Sequence, residues 1–298
     1  MAAVEADIGA GWRGALSLRF AQARERTVIA RRRHEGPFCV QQPFYPGDGA
    51  CHVYLLHPPG GLAAGDELLL DVDVEPGAAV LLTTPAATKF YKSAGAPSVQ
   101  AQALRVAAGA SLEWLPLETI LFGGSRARIT TEVFLEPGAR FLGWETTVLG
   151  RPLSGDTYSA GTLEQRTHIL VGGEPLLLER LRWRAGEPLL CAPWGLAGFG
   201  LCGTLYAYPA DDVLLALARE RLGAAAPSFE SLPAGGLPRD RQPPADTRYG
   251  ATLLGRLLVV RCLAREPEQL RTTLERLWAE LRPAVVGLEA HPPRIWKT

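Results

Sequence analysis

The sequence predicts a mainly β protein, an elongated β-superhelix or sandwich of stacked hairpins with two α-helices in its C-terminal third. Three observations carry this expectation. Leu68, Leu70, Val72 and Val74 alternate with Leu69, Asp71, Asp73 and Glu75, the period of two of a half-buried strand, and Pro76-Gly77 turns the chain into a second apolar run. The pattern then returns, because DVDVEPGAAVLLTTP, LRVAAGASLEWLPLE and EVFLEPGARFLGWET each read strand, turn, strand, with turns at Gly77, Gly109 and Gly138, 32 and 29 residues apart. Units of that length bury each other's faces by stacking. Finally, no βαβ period or glycine fingerprint appears, which argues against a dinucleotide-binding fold.

In chain order, residues 1–298 read as one domain, with a β body over 1–210, a helix-loop-strand-helix region over 211–282 and a tail over 283–298. The strand pattern from His57 to Ser93 ends in TTPAATKFYKS, where Lys89 and Lys92 are two of only three lysines in the chain. Thr83, Thr84, Lys89, Tyr91 and Ser93 are therefore candidates for a docking or passage-lining loop. Pro188 to Ala210 carries no charge, yet the breaks at Pro193, Gly195, Gly198, Gly200, Gly203 and Pro209 favour short buried strands over a membrane helix. Asp211 or Asp212 caps a helix with Val213, Leu214, Leu217, Ala218 and Leu222 on its apolar face and Gly223 as its stop. Ala224 to Thr247, rich in Pro, Gly and Ala, reads as a surface loop, and Leu253 to Ala264 as a buried strand. A second helix opens at Glu266-Pro267, carries Leu270, Leu274, Leu277, Trp278 and Leu281 at helical spacing, and closes at Pro283. Its apolar face either packs on the parent sheet or receives a partner helix. The chain finishes in PRIWKT, where Trp296 either folds back on the core or, with Arg294 and Ile295, anchors a partner.

With 31 basic and 31 acidic residues the formal charge is zero, which removes any general attraction to nucleic acid or membrane and favours protein partners. Arg31-Arg32-Arg33 reads as a solvated strand end. Five widely spaced cysteines contain no CxxC pair and read as reduced core residues. The acidic start MAAVEADIGAGW has no signal-peptide core, so a cytoplasmic location is expected. Nucleotide, zinc-hydrolase, serine-hydrolase and calcium motifs are all missing, which points away from an enzyme.

Four carboxylates stand in apolar surroundings: Asp66 after a glycine turn, Glu118 in WLPLETILF, Glu145 in FLGWETTVLG and Glu179 in LLLERLRW. A buried carboxylate needs a partner, either an arginine such as Arg151, Arg180 or Arg182, or a cation. Counted from the aligned glycines, Thr84, Pro116 and Glu145 fall on one level of the stack, so a polar seam through the body is the functional alternative. The five histidines are scattered and each reads as structural. Two rival functions are a metal-dependent hydrolase using Asp66 and Glu145, and a β-solenoid carbohydrate-binding module. The second is disfavoured because Trp114, Phe122, Phe141 and Trp144 lie inside apolar runs.

Six segments in order, GPFCVQQPFYPGDGACHVYLLHPPGG, GD at Gly65-Asp66, TTPAATKFYKS, LEWLPLETILF, FLGWETTVLGRPLSGD and PRIWKT, resemble the UreD (UreH) family of urease accessory proteins. Two departures are LAAGD, where the family more often has a bulkier glycine-rich run, and FGGS at Phe122 to Ser125, which puts a metal role at Gly123 out of reach. The resemblance implies a non-enzymatic maturation chaperone. Such a scaffold docks on urease apoprotein, recruits accessory protein F and through it the GTPase G, and gives nickel a passage to the enzyme. No tightly bound cofactor is implied, only transient nickel, for which a row of carboxylates and hydroxyls is a weak ligand set suited to transfer.

Overall fold

The computed structural model describes residues 11–223 and 247–297. Within them the chain coils so that successive turns lay one strand in each of two facing sheets. In the seven-stranded sheet Arg13–Ala23, Glu67–Val74, Ser98–Val106, Arg126–Leu135 and Thr162–Val171 run parallel, with antiparallel Arg26–Glu35 and Glu174–Arg184 at the edges. Facing it, Cys51–Leu56, Ala79–Thr83, Ser111–Leu115 and Arg140–Leu149 run parallel. Leu201–Tyr208, Leu257–Ala264 and Thr247–Leu254 extend that sheet antiparallel at one end, and Cys39–Val40 does so at the other. Gly61–Leu62, Thr88–Phe90 and Thr119–Leu121 make a narrow third side.

The stacked-coil β architecture is therefore the one the glycine repeat predicts. Gly77, Gly109 and Gly138 adopt φ of 78°, 72° and 89°, left-handed values that side chains with a Cβ rarely take. At each level the next coil hydrogen-bonds the last, as in Ser111 N–H to Ala78 O at 2.9 Å and Arg140 N–H to Ala110 O at 3.0 Å.

The strands of the larger sheet read as continuous apolar runs because both of their faces are buried. Val80 and Leu82 join the core between the sheets, while Leu81 turns to a second core under the helices. Among the described residues nothing comparable covers the outer face of the seven-stranded sheet. It carries rungs of exposed ion pairs, among them Arg105–Asp71 at 3.0 Å and Arg128–Glu164 at 3.6 Å, each worth little by itself.

Helix α1 (Asp212–Gly223) is capped by Asp211, whose Oδ1 accepts the Leu214 N–H at 3.0 Å. Leu214, Ala218 and Leu222 are buried, but Val213 is 74% exposed and does not belong to the packed face. Helix α2 (Pro267–Val285) buries Leu270, Leu274, Leu277, Trp278 and Leu281 on the parent sheet, so that face is not open to a partner helix. Pro283 lies inside its last turn rather than ending it. The stop comes at Gly287, with φ 83° and its N–H on the carbonyls of Arg282 and Pro283.

Three further expectations change. Leu253 to Ala264 is a tight hairpin rather than one strand: Gly255, with φ 55°, sits in the turn that pairs Leu254 with Leu257. Only Leu201–Tyr208 of the uncharged 188–210 segment is a strand, and Pro188–Leu190 is a single 3-10 turn, with Trp194 76% exposed beyond it. All five thiols are free, yet Cys191 is on the surface. The loop expected over Ala224 to Thr247 lies outside the described residues except for Thr247, which opens a strand. Among the described residues no helix is long and apolar enough to cross a membrane.

Candidate functional site: a polar seam between the sheets

Parallel stacking places equivalent side chains side by side, so a polar residue at an inward position recurs as a polar row. Thr131 is in register with Gln102 on one neighbour and Thr167 on the other, and all three are buried. Glu145 reaches this row from the opposite sheet. Its carboxylate accepts hydrogen bonds from the Thr131 hydroxyl, from Gln165 Nε2 at 2.9 Å and from the Thr167 hydroxyl at 3.0 Å. Gln102 Nε2 donates to Thr131 at 2.7 Å, leaving the Thr131 proton for Glu145. Among the described residues three neutral donors and no cation surround this carboxylate. Burial accordingly pushes its pKa above the ordinary value, a push that the hydrogen bonds from Thr131, Thr167 and Gln165 only partly offset.

The row continues outward. Tyr206, buried beside Glu145 and Glu179, has a phenol held well above its ordinary pKa, first by burial and then by those two charges. Its hydroxyl points at Glu179 Oε2, 3.4 Å away, and Glu179 Oε1 pairs with the half-exposed Arg261 at 2.7 Å. On its other side Glu145 opens on a cavity of about 80 Å³ between the sheets. Thr84, Pro116 and Glu145, the residues on one level of the glycine repeat, all line it, together with His57, Gln100, Trp114 and Thr147. Burial lowers the pKa of His57, against the opposing charge of Asp66.

The remaining candidates separate. Asp66 does not line the cavity with Glu145. Its oxygens accept the Trp12 N–H at 3.1 Å and the Ala63 N–H at 2.6 Å, behind His57. Glu118 faces the opposite way, toward Pro267, Arg271 and Trp296 of α2 and the tail. Thr83 is fully buried, donating to Leu115 O at 2.6 Å, whereas Thr84 Oγ1 accepts the Leu117 N–H at 2.9 Å. Lys89 sits in the narrow third side, Tyr91 stacks edge-on against Phe122, and Ser93 is buried against Ala96 O. Of the arginines expected to neutralise the carboxylates, Arg151 and Arg180 pair instead with Asp156 and Glu164.

A second buried cluster lies on the far side of the larger sheet. Arg282, fully buried in α2, binds Glu113 through Nε and a terminal nitrogen at 2.8–3.0 Å and Asp48 at 2.8 Å. His52 Nε2 lies 2.8 Å from the same Asp48, and Trp278 Nε1 donates to Glu113 at 2.6 Å. Burial raises the Asp48 pKa, but the His52 hydrogen bond and the His52 and Arg282 charges prevail and bring it to about 2. Trp296 completes the wall: its Nε1 donates to Thr83 Oγ1 at 2.9 Å and its ring packs 5.4 Å from both Trp144 and Trp278. The ring is thus folded back on the core, while Arg294 stays exposed.

Among the described residues no three His, Cys, Asp or Glu side chains come together as a metal site. Fold and seam together define a stacked-coil β scaffold with a polar row between its sheets. The family described as UreD urease accessory protein matches residues 13–297, and the chain belongs to that family. It is 48% identical to the urease accessory protein UreD of Alkalilimnicola ehrlichii, over 98% of this chain and 94% of that one. The corresponding proteins of Pseudomonas entomophila and Klebsiella aerogenes are 45% and 41% identical, each over 97% of this chain and 95% and 97% of theirs. A role in urease maturation follows from the family.

Proposed function

We propose that this protein is a non-enzymatic scaffold that docks on urease apoprotein, recruits accessory proteins F and G, and passes nickel inward along the polar seam. The observation that carries the passage is Glu145, a half-buried carboxylate facing a cavity with hydroxyl and amide donors but, among the described residues, no arginine. An uncompensated negative charge in an apolar body favours a cation, and oxygen ligands without a closed cage let it leave. Tyr206 and Glu179 continue the path outward. Asp66 contributes from behind His57, where its charge acts on the imidazole. Thr84 lines the same cavity, and Lys89 flanks it on the narrow side as a docking contact. In the tail, Arg294 is the exposed candidate for contact with accessory protein F. Cytoplasmic urease maturation is the setting this reading supposes.

The test is maturation of urease with Asp66→Asn, Glu145→Gln and Glu179→Gln, separately and combined, followed by co-purification and metal analysis. Assembly with urease should persist while the nickel content of the matured enzyme falls several-fold, because side-chain shape survives and charge does not. Normal nickel content with the triple variant removes the passage. Lys89→Ala should fold normally and lower activation; unfolding would show it to be a structural partner.

A further inference from the structure

A sheet edge is an open row of backbone donors and acceptors, which proteins blunt with charge, proline, bulges or short strands. Among the described residues the two facing sheets end in four edge strands, and three of them are blunted. Arg26–Glu35 carries Arg31, Arg32 and Arg33, Glu174–Arg184 has Pro175 and a bulge opposite Ile169 and Leu170, and Cys39–Val40 is two residues long. Thr247–Leu254, the outermost strand of the larger sheet, has none of these devices: its eight residues, TRYGATLL, include no proline and one charge. The Ala251 carbonyl accepts from the Arg219 guanidinium of α1 at 3.2 and 3.3 Å, so it points to the open side. By the alternation of an antiparallel strand, the N–H and C=O of Tyr249 and Leu253 point there too.

The surroundings of this edge are basic. Arg248 lies in the strand, Arg265 stands beside its start, where Thr247 pairs with Ala264, Arg219 reaches its middle and Arg256 sits in the turn at its end. Arg248 and Arg265 stack on Phe199 and Arg256 on Tyr208, but among the described residues none of the four has a carboxylate at ion-pair distance. Nearby Glu179 and Glu220 are already taken by Arg261 and Arg221. Tyr249 and Ala251 face the helix-side core, which leaves Gly250, Thr252 and Leu254 exposed on the other face. We propose that Thr247–Leu254 is a docking edge for an extended acidic segment of a protein partner, which adds to the larger sheet as its next strand through the backbone of Tyr249, Ala251 and Leu253. Main-chain pairing supplies the affinity, and the four arginines select negative charge. A second copy of the same strand would set arginine against arginine, and the five prolines within 224–246 of this chain cannot donate to a ladder. The inference goes beyond the scaffold reading and is independent of nickel passage.

Fluorescence anisotropy on the full chain tests this with three short peptides: one alternating Glu and Val, one alternating Lys and Val, and the Glu-Val peptide N-methylated throughout. Wild type should bind the Glu-Val peptide about tenfold more tightly than either control. Ala251→Pro removes one outward N–H without touching the ladder to the neighbouring strand, and should weaken Glu-Val binding about tenfold. Arg256→Glu combined with Arg265→Glu should weaken it similarly and abolish the discrimination against Lys-Val. Circular dichroism checks the fold of both variants, and if Ala251→Pro does not fold, the N-methylated peptide asks the same question of wild type. No binding of the Glu-Val peptide by wild type, or equal binding of its N-methylated form, overturns the inference. Equal binding by a folded Ala251→Pro overturns it as well. So does a concentration-dependent dimer of wild type that Ala251→Pro abolishes, which would make a second copy the occupant.

Discussion

Asp48 and Glu113 on the helix side of the larger sheet, and Glu145 on its inner side, are all carboxylates taken out of water, yet they are compensated differently. The first two share the Arg282 guanidinium, with His52 and Trp278 filling the remaining positions. Glu145 has only neutral donors. One site locks α2 to the β body, because removing either partner strands a buried charge. The other has no cationic partner among the described residues, and its pKa moves in the opposite direction from that of Asp48. Burial alone therefore does not decide how a carboxylate is compensated; the partner set does.

Breaking the paired cluster should have the largest effect. Arg282→Met leaves Asp48 and Glu113 buried without a guanidinium and should cost about 3–5 kcal/mol in urea denaturation. A loss under 1 kcal/mol would mean that the cluster contributes little. Trp296→Ala, which opens the wall beside Trp278 and Trp144, should cost about 3 kcal/mol, and a variant as stable as wild type would contradict the packed position of the ring.

Acid sharpens the contrast. A folded pKa of about 2 for Asp48, against an ordinary 3.8, gives stability that is complete above about pH 4 and is lost as pH falls through 2. The loss should amount to roughly 2 kcal/mol, and Asp48→Asn should flatten that part of the stability profile. For Glu145 the sign reverses. Its folded pKa is raised, so its ionisation opposes folding above the ordinary 4.5 and costs nothing below it. Glu145→Gln should remove this pH dependence, so that the wild type loses stability relative to the variant as pH rises through 4.5. A relative stability that stays constant between pH 4 and 7 would contradict the uncompensated charge.

Much of this molecule can be read from its residues. The alternation in Glu67–Val74 buries Leu68, Leu70, Val72 and Val74, and the left-handed turns stand at the repeated glycines. The level shared by Thr84, Pro116 and Glu145 reappears as one cavity wall. A fuller signal was present in Gln102, Thr131, Gln165 and Thr167, polar residues at inward positions of successive strands, but it is visible only once the register is known. Arg282 would be taken for a solvated residue near a helix end. Its partners Glu113 and Asp48 are 169 and 234 residues away, beyond the reach of any local pattern.

The sequence by itself determined the elements and their stacking, because period-two alternation, glycine turns and helical spacing act through neighbours within a few residues. It also determined that several carboxylates would stand among apolar side chains. Which of them would find an arginine was decided only by the tertiary structure. The coil brings residues of distant turns together and assigns each strand's two faces to different cores, so Glu113 meets Arg282 under the helices while Glu145 looks inward at hydroxyls, amides and a cavity. Charge compensation falls off over a few ångströms, and distances of that kind exist only after the chain has closed on itself.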